Sequence, residues 1–408
     1  MYDFIIIGGG PAGMMAAGRA GARGKKVVLL EKKDQLGKKL LICASGRCNV
    51  TNTAAPDSLI KAYGKGGHFL RTALQTFDNE KLRLFLLSYG VETVIENKGR
   101  VFPKSQRAAS VLKALETYMH NHKVKIQTNS HVLQLTLENN RVSGVETNHG
   151  SVFGRNILIA TGGRSYPATG STGDGYTLAS SVGHAICSTY PAIIAFETEE
   201  TWMKSLQGTP MKNVNITAYQ SGKKIAGQFG EALFTHYGVS GPTILDMSKR
   251  IVECLSNGHV PIRIDFKPHH TSEELDKILV NQIKRHGNKA IKSCLVFFIP
   301  EKLAPVLLNL CDIEPHKKTS QITAPERKRI VKQIKGLPLT CMRHRPIEEA
   351  IVTAGGIRLD EVDAKTMKSK LIEGLYFAGE VLDIDGPTGG FNLQAAFSSG
   401  YLAGDSID

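Results

Sequence analysis

The sequence predicts an α/β fold whose first unit is interrupted by a long insertion, and three observations lead there. An apolar run, Phe4 to Ile7, meets a triple glycine, then a helix of small residues, then a second apolar run, Val27 to Leu30. Alternating apolar strands and amphipathic helices continue to about residue 190, give way to a different pattern, and return at "IEEAIVTAGGI". Residues 388 to 400, "TGGFNLQAAFSSG", repeat the theme of a glycine turn running into a small-residue helix.

The elements follow in order. "YDFIIIGGGPAGMMAAGRAGARGKKVVLLE" reads as strand, tight turn, helix and strand, a Rossmann-like beginning. Gly8 permits the turn, Gly10 lets a pyrophosphate approach the backbone, and Gly13 lets helix and strand pack closely while the helix N-terminus faces the phosphates. Glu31, 18 residues after Gly13, is placed to accept from both ribose hydroxyls and to repel a 2'-phosphate, which implies an NAD-like or FAD-like nucleotide and not NADP. "HVLQLTLENNRVSGVETN" reads as a hairpin through Asn139-Asn140, and "NILIATGG" as a strand ending in Thr161, Gly162 and Gly163, a second place for close backbone approach.

From 191 to about 268 the chain reads as short strands with turns, and from about 269 to 336 as helices, since "SEELDKILVNQIKRH" and "APERKRIVKQIKGL" space apolar residues at three and four. "GLYFAGE" is then a strand ending in Gly379-Glu380, and Gly389-Gly390 turn into the last helix. A carboxylate at a strand end beside a helix N-terminus suits a ligand with a polyol followed by an electron-accepting ring. NAD has no such polyol, so head and tail together select FAD.

At 408 residues the chain has room for two or three domains. It has no run of 18 apolar residues and no basic segment before its first strand, so a soluble, cytoplasmic protein with no membrane partner is expected. Seven cysteines without a C-x-x-C pair argue against a disulfide framework and a zinc site. His120, His122, His269 and His270 lack companions at metal-ligand spacing, so no metal is expected. Adjacent Glu348 and Glu349 point apart on either a helix or a strand, so they form no acid/base pair.

"GGGPAGMMAA", "GKKLLICASGRCNVTN", "TGGRSYPATGSTGDGY", "LFTHYGVSGP", "VTAGGI" and "GLYFAGEVLDIDGPTGGFNLQ" together resemble the YhiN/BaiN-like flavoproteins, of the glutathione-reductase-type FAD fold, over essentially the whole length. The resemblance implies an FAD-dependent oxidoreductase with a Rossmann-like FAD-binding domain at 1–190 and 346–408. It also implies an inserted β-barrel-like domain at 191–268 and 337–345, carrying a helical basic subdomain at 269–336. The cofactor contacts it implies lie at Gly8, Gly10, Pro11, Ala12, Gly13, Glu31 and Lys32, and at Lys39, Gly46, Arg47, Cys48, Asn49 and Val132. Thr161, Gly162, Gly163, Gly379, Glu380, Gly389, Gly390, Phe391, Asn392 and Leu393 complete that set. Activities within the family include reduction of a uracil in large-subunit ribosomal RNA to dihydrouridine, reduction of bile-acid intermediates and oxidation of small amines.

One departure is Cys43-Ala44-Ser45 before "GRCN", where the family has glycines and other small residues; it adds a thiol near the flavin. Cys48 reads either as a small packed residue or as a thiol donating a proton to substrate. His236, in "FTHYGVSGP", reads as a flavin-edge or substrate residue, or as a structural one. Arg47 reads as a partner of the pyrophosphate, or of the substrate.

Charge points to the substrate. The formal net charge is +14, and residues 267 to 345 carry 16 Lys+Arg against 7 Asp+Glu. On the helix around 324–336, Ile330, Val331, Ile334 and Leu337 form an apolar stripe that is expected to leave Arg327, Lys328, Lys332 and Lys335 in solvent, with Arg343 and Arg345 nearby. A basic surface on a flavin domain is expected where the substrate is embedded in a polyanion. The leading expectation is therefore reduction of a uridine in ribosomal RNA, with NADH or NADPH as a transient reductant because no second dinucleotide fingerprint occurs. A small-molecule flavin oxidoreductase is the alternative, and a flavin-bearing RNA-binding protein without turnover a third class.

Overall fold

The apolar run that opens the chain lies at the centre of a parallel sheet. In the computed structural model, which describes residues 1–407, strand Tyr2–Ile7 runs parallel to Val27–Leu30 on one side and Gly150–Ile159 on the other. Lys125–Gln127 extends the sheet beyond Val27–Leu30, and Leu375–Phe377 pairs with the end of Gly150–Ile159. Phe4, Ile5, Ile6, Val28 and Leu29 are fully buried, without alternation, as expected of a parallel sheet covered on both faces. Gly150–Ile159 is long enough to serve twice. Its first half pairs antiparallel with Arg141–Thr147, which continues through a hairpin to Val132–Glu138. Asn139 and Asn140, with φ of 49° and 61°, supply the two left-handed residues that a tight hairpin turn needs.

Two helices lie together beneath this sheet's glycine turn. Pro11–Ala22 follows Gly10, and Phe391–Ser406 follows Gly390. A Cβ on Gly400 would overlap the carbonyl oxygen of Ala12, and one on Gly404 that of Ala16, so backbone meets backbone at two points one turn apart. The matched pairs, Ala12 with Gly400 and Ala16 with Gly404, both advance along the chain, so the helices run parallel. A small sheet of Thr51–Asn52, Arg100–Pro103 and Thr93–Glu96 completes this unit, together with the two-stranded pair Ile186–Pro191 and Thr353–Ile357.

By contacts the chain divides into Met1–Tyr190 with Ile347–Asp408, and Pro191–Pro346. The second unit holds a closed antiparallel barrel of six strands: Phe196–Thr198, Gly238–Ser240, Lys223–Phe234, Pro210–Gln220, Val260–Asp265 and Leu337–His344, the last pairing back to the first. Helix Pro242–Leu255 packs on the barrel. Ser272–His286, Ile291–Leu295, Leu303–Leu310 and Ala324–Gly336 form the helical part. Two of these helices begin with a capping box, Thr271 with Glu274 and Thr323 with Glu326, which satisfies otherwise orphaned N–H groups. All seven cysteines are free. Among the described residues no helix is long and apolar enough to cross a membrane, and no group of three His, Cys, Asp or Glu side chains is placed to hold a metal.

The crossing of the first and last helices sets up a direct test. Alanine is intrinsically the better helix former by about 1 kcal/mol, but overpacking against backbone that cannot rotate away costs about 1–3 kcal/mol. Gly400→Ala should therefore lower the melting temperature, and Gly404→Ala likewise. A melting temperature equal to or above wild type in both variants would show that the helices have room to separate.

Candidate functional site

The first glycine turn is built for close approach. Gly8 has φ of 107°, and a Cβ there would lie 2.6 Å from the Ala160 carbonyl oxygen. A Cβ on Gly13 would overlap the Gly8 carbonyl, so helix and strand are packed without room for a side chain. Gly10 differs, because a Cβ there meets no atom within 4 Å. The open side therefore lies in front of the helix that starts at Pro11 and Ala12, and that helix has neither a side-chain cap nor an acid in its first turn. Its free N–H groups favour an anion. Glu31 is only 9% exposed; one carboxylate oxygen accepts from Gly9 N–H at 2.7 Å and the other from Lys33 N–H at 2.8 Å. Both oxygens keep lone pairs for ribose hydroxyls. The Lys32 ammonium is engaged by Asp174 at 2.7 Å and by the Thr172 hydroxyl, while His131 also meets Asp174, at 3.0 Å. Val132 buries its side chain, leaving only its backbone to a ligand.

A second cluster gathers around Glu380. Its carboxylate accepts from Lys39 Nζ at 2.7 Å, from Thr353 N–H at 2.9 Å and from the Ser165 hydroxyl at 3.2 Å. Lys39 also donates to Ser165 at 2.7 Å. Gly162 and Gly379 are left-handed, and a Cβ on Gly163 would overlap the Thr353 hydroxyl, so the strand-end glycines permit this convergence. The Thr161 hydroxyl is buried without a partner. Gly389 and Gly390, φ 111° and 100°, lead into the helix that begins at Phe391, again with neither side-chain cap nor first-turn acid. Asn392 folds the loop by accepting from Gly386 N–H at 2.9 Å and donating to the Gly386 carbonyl at 2.8 Å. Asn52 holds Gly389, Tyr63 holds the Phe391 carbonyl, and Thr51 meets Gln394. Leu393 is half-buried on the same helix. Sequence reasoning missed Thr51, Asn52, Ser165, Thr353 and Gln394, although the first two stand in the "GRCNVTN" stretch.

The two bare helix ends are separated by a fixed offset. Ala12 is the second residue of its helix and Gly400, beside it, the tenth of its own, a difference of eight residues or about 12 Å. One N-terminus with Glu31 and a second farther forward with Glu380 fit a molecule in which a diphosphate joins a ribose to a polyol-linked ring. FAD is such a molecule.

The turn from Cys43 to Asn49 decides the fate of two sequence candidates. Ala44, Ser45 and Cys48 are left-handed, with φ of 49°, 56° and 63°, and Gly46 at 85° lies between them. Such non-glycine conformations cost about 1–2 kcal/mol each, offset here by hydrogen bonds that close the turn on the Cys43 carbonyl from Gly46 and Cys48 N–H, both at 3.1 Å. This geometry buries Cys48 completely. Of the two readings of Cys48, full burial favours the packed residue over the proton donor, and burial also pushes its pKa well up. Cys43 lies half-buried instead, donating to the Lys39 carbonyl at 3.2 Å, and burial pushes its pKa up to about 11. Arg47 is likewise committed elsewhere. It pairs with Glu96, donates to Gln106 at 2.6 Å and lies 4.1 Å above the Phe102 ring. Asn49 accepts from Val101 N–H at 3.2 Å and ties the turn to the small sheet.

In the second unit, His236 is exposed in the bend between Lys223–Phe234 and Gly238–Ser240, edge-on to Tyr237 at 4.9 Å. Lys328 and Lys332 stand in solvent as expected. Arg327 and Lys335 do not: Arg327 pairs with Asp276 at 2.5 Å and Lys335 with Asp265 at 2.7 Å, both half-buried. Arg343 and Arg345 share Glu197, at 2.7 and 2.6 Å. The freely solvated basic face of the Ala324–Gly336 helix is therefore smaller than its spacing predicts, because the charges facing the neighbouring elements find acids there.

Comparison with known proteins returns the family described as "HI0933-like protein Rossmann domain", matching residues 2–406. The 3-dehydro-bile acid delta(4,6)-reductase of Clostridium scindens is 33% identical over 404 residues, 98% of this chain and 97% of that protein. The ribosomal RNA dihydrouridine synthase of Haemophilus influenzae is 30% identical over 409 residues, covering 99% and 98% of the two chains. Among solved structures, 3-ketosteroid-delta4-(5alpha)-dehydrogenase from Rhodococcus jostii shares the fold with a TM-score of 0.55 at 14% identity, covering 100% of this chain and 96% of that one.

The contrast between the two cysteines is measurable. Alkylation proceeds through the thiolate, so with a pKa near 11 Cys43 should react slowly at neutral pH and about tenfold faster per pH unit up to that value. Added FAD should protect it. Cys48 should stay unmodified until the protein is unfolded, as read by peptide mass spectrometry. Modification of Cys48 in the folded protein, or no protection of Cys43 by FAD, would contradict this site.

Proposed function

The chain belongs to the HI0933-like family of FAD-dependent oxidoreductases, and from that premise we propose that it reduces a uridine in large-subunit ribosomal RNA to dihydrouridine, using NADH or NADPH. The observation that carries the reading is the charge. Of a net +14, a surplus of nine lies within residues 267–345, where 16 Lys+Arg face 7 Asp+Glu. Neutralising phosphates gives sequence-independent affinity for RNA, whereas a small neutral substrate has no use for such a surplus. The relatives named ribosomal RNA dihydrouridine synthase, 30% identical in Haemophilus influenzae and 28% in Escherichia coli, support it.

FAD, when bound, would supply the two-electron chemistry that links oxidation of a nicotinamide to reduction of the C5–C6 bond of the uracil. The chain's own residues do the rest. The helix from Pro11 favours the diphosphate, and Glu31 accepts from the ribose. The helix from Phe391 would favour negative charge on a bound flavin, and the Lys39–Ser165–Glu380 cluster would hold its polyol. The second hydrogen reaches C5 as a proton, and the Cys43 thiol, protonated at neutral pH beside Lys39 and Glu380, is the group we assign to hold it. The target base has to be unpaired or flipped to be reached.

A second reading is favoured by the bile-acid reductase at 33% identity: reduction of a small ketone conjugated to a carbon–carbon double bond. The chemistry is related, since C5–C6 of uracil is also conjugated to a carbonyl.

Nucleoside mass spectrometry of ribosomal RNA tests the first reading. RNA from a strain lacking the gene should lose one dihydrouridine, and the gene should restore it. Purified protein with NAD(P)H should add two hydrogens to a uridine of the unmodified RNA. If nicotinamide oxidation responds to a conjugated 3-ketosteroid and not to RNA, the second reading replaces the first.

A further inference from the structure

The second unit contains a groove of about 760 Å³ that the flavin chemistry does not use. It forms where the start of barrel strand Pro210–Gln220, the segment following Val260–Asp265, and the 296–302 segment of the helical part come together. Its lining is unusual for a soluble surface. Val296 and Phe297 are adjacent, apolar and 48% and 59% exposed. The Lys267 ammonium lies 5.8 Å from the centre of the Phe297 ring, within the range where a cation is attracted to an aromatic face. Lys212 and Lys302 stand exposed on the lining, with Glu301 the acid among them.

One polar group in the lining lacks a partner. Thr209 is 7% exposed and its hydroxyl makes no hydrogen bond within the protein. That hydroxyl is itself closed to solvent, and it stays a cost of about 1–3 kcal/mol within the groove wall. The groove wall is also held rigidly. Lys335, besides its ion pair with Asp265, donates to the carbonyls of Lys267 and His270 at 3.0 and 2.6 Å. A lysine expected to meet phosphate thus shapes the segment that carries another one.

We propose that this groove seats an unpaired stretch of RNA, with one base stacked on Phe297 and flanking phosphates met by Lys212, Lys267 and Lys302. An exposed aromatic platform among cations is what single-stranded nucleic acid requires, because every base has a π-face and every link a charge. A purely apolar occupant would leave three lysines around it without counter-charge beyond Glu301. The inference rests on the reading of RNA as substrate and deepens it, assigning a place where RNA is gripped by stacking as well as by charge.

Affinity for a labelled single-stranded, uridine-rich RNA, measured by fluorescence anisotropy on the FAD-loaded protein, tests it. Phe297→Ala should weaken binding about 10-fold and Phe297→Trp should retain it. Lys212→Gln with Lys302→Gln should weaken binding and flatten the log-log salt slope by about 0.7 for each phosphate no longer neutralised. Flavin absorbance and melting temperature establish that each variant is folded. If wild type converts uridine but Phe297→Ala and the double lysine variant bind RNA as wild type does, the groove assignment is overturned and the proposed activity stands. If wild type neither binds nor converts RNA, the activity fails and the groove assignment with it.

Discussion

The close crossing of the first and last helices is the constraint on which the nucleotide site depends. Gly400 and Gly404 lie against the backbone of Ala12 and Ala16 with no space for a side chain. That packing brings the turn at Gly10 and the turn at Gly390 into one site, with their helices parallel and both N–H ends open. Neither helix supplies a cap or an acid of its own. The orphaned donors are a cost in the isolated fold, and they become binding groups when an anion or an electron-rich ring lies in front of them.

Around this frame the charged groups are used in two ways. Glu31 and Glu380 are each oriented by several donors but keep acceptor capacity. Lys32, Arg47, Arg327 and Lys335 are instead committed to acids or backbone carbonyls. Three of these hold a turn or a segment in place: Lys32 anchors the loop before Asp174, Arg47 fastens the left-handed turn, and Lys335 fixes the groove wall. A cation with a partner in the fold shapes a site more than it touches a ligand, so the freely solvated positive charge is smaller than the count of basic residues.

The left-handed turn at 44–48 shows how strain and specificity coincide. Three non-glycine residues with positive φ persist because hydrogen bonds to the Cys43 carbonyl, the Arg47 anchor and the bond that the Gly46 carbonyl accepts from Ala108 N–H over-determine the loop. The same geometry buries the thiol of Cys48 and leaves that of Cys43 beside the Lys39–Glu380 pair.

Chemical spacing along the chain determined the parallel sheet, the hairpin at Asn139-Asn140, both glycine turns, the capped helices and the FAD fold, because backbone chirality, apolar periodicity and capping act over a few residues. Tertiary structure alone decided which side chains are free. Lys39 meets Glu380 across 341 residues and Arg327 meets Asp276 across 51, and the full burial of Cys48 follows from what packs over it. Partners of that kind leave no local period in the sequence. Helical spacing can place Arg327 and Lys335 on a polar face, but whether an acid waits opposite is settled only when another element docks there.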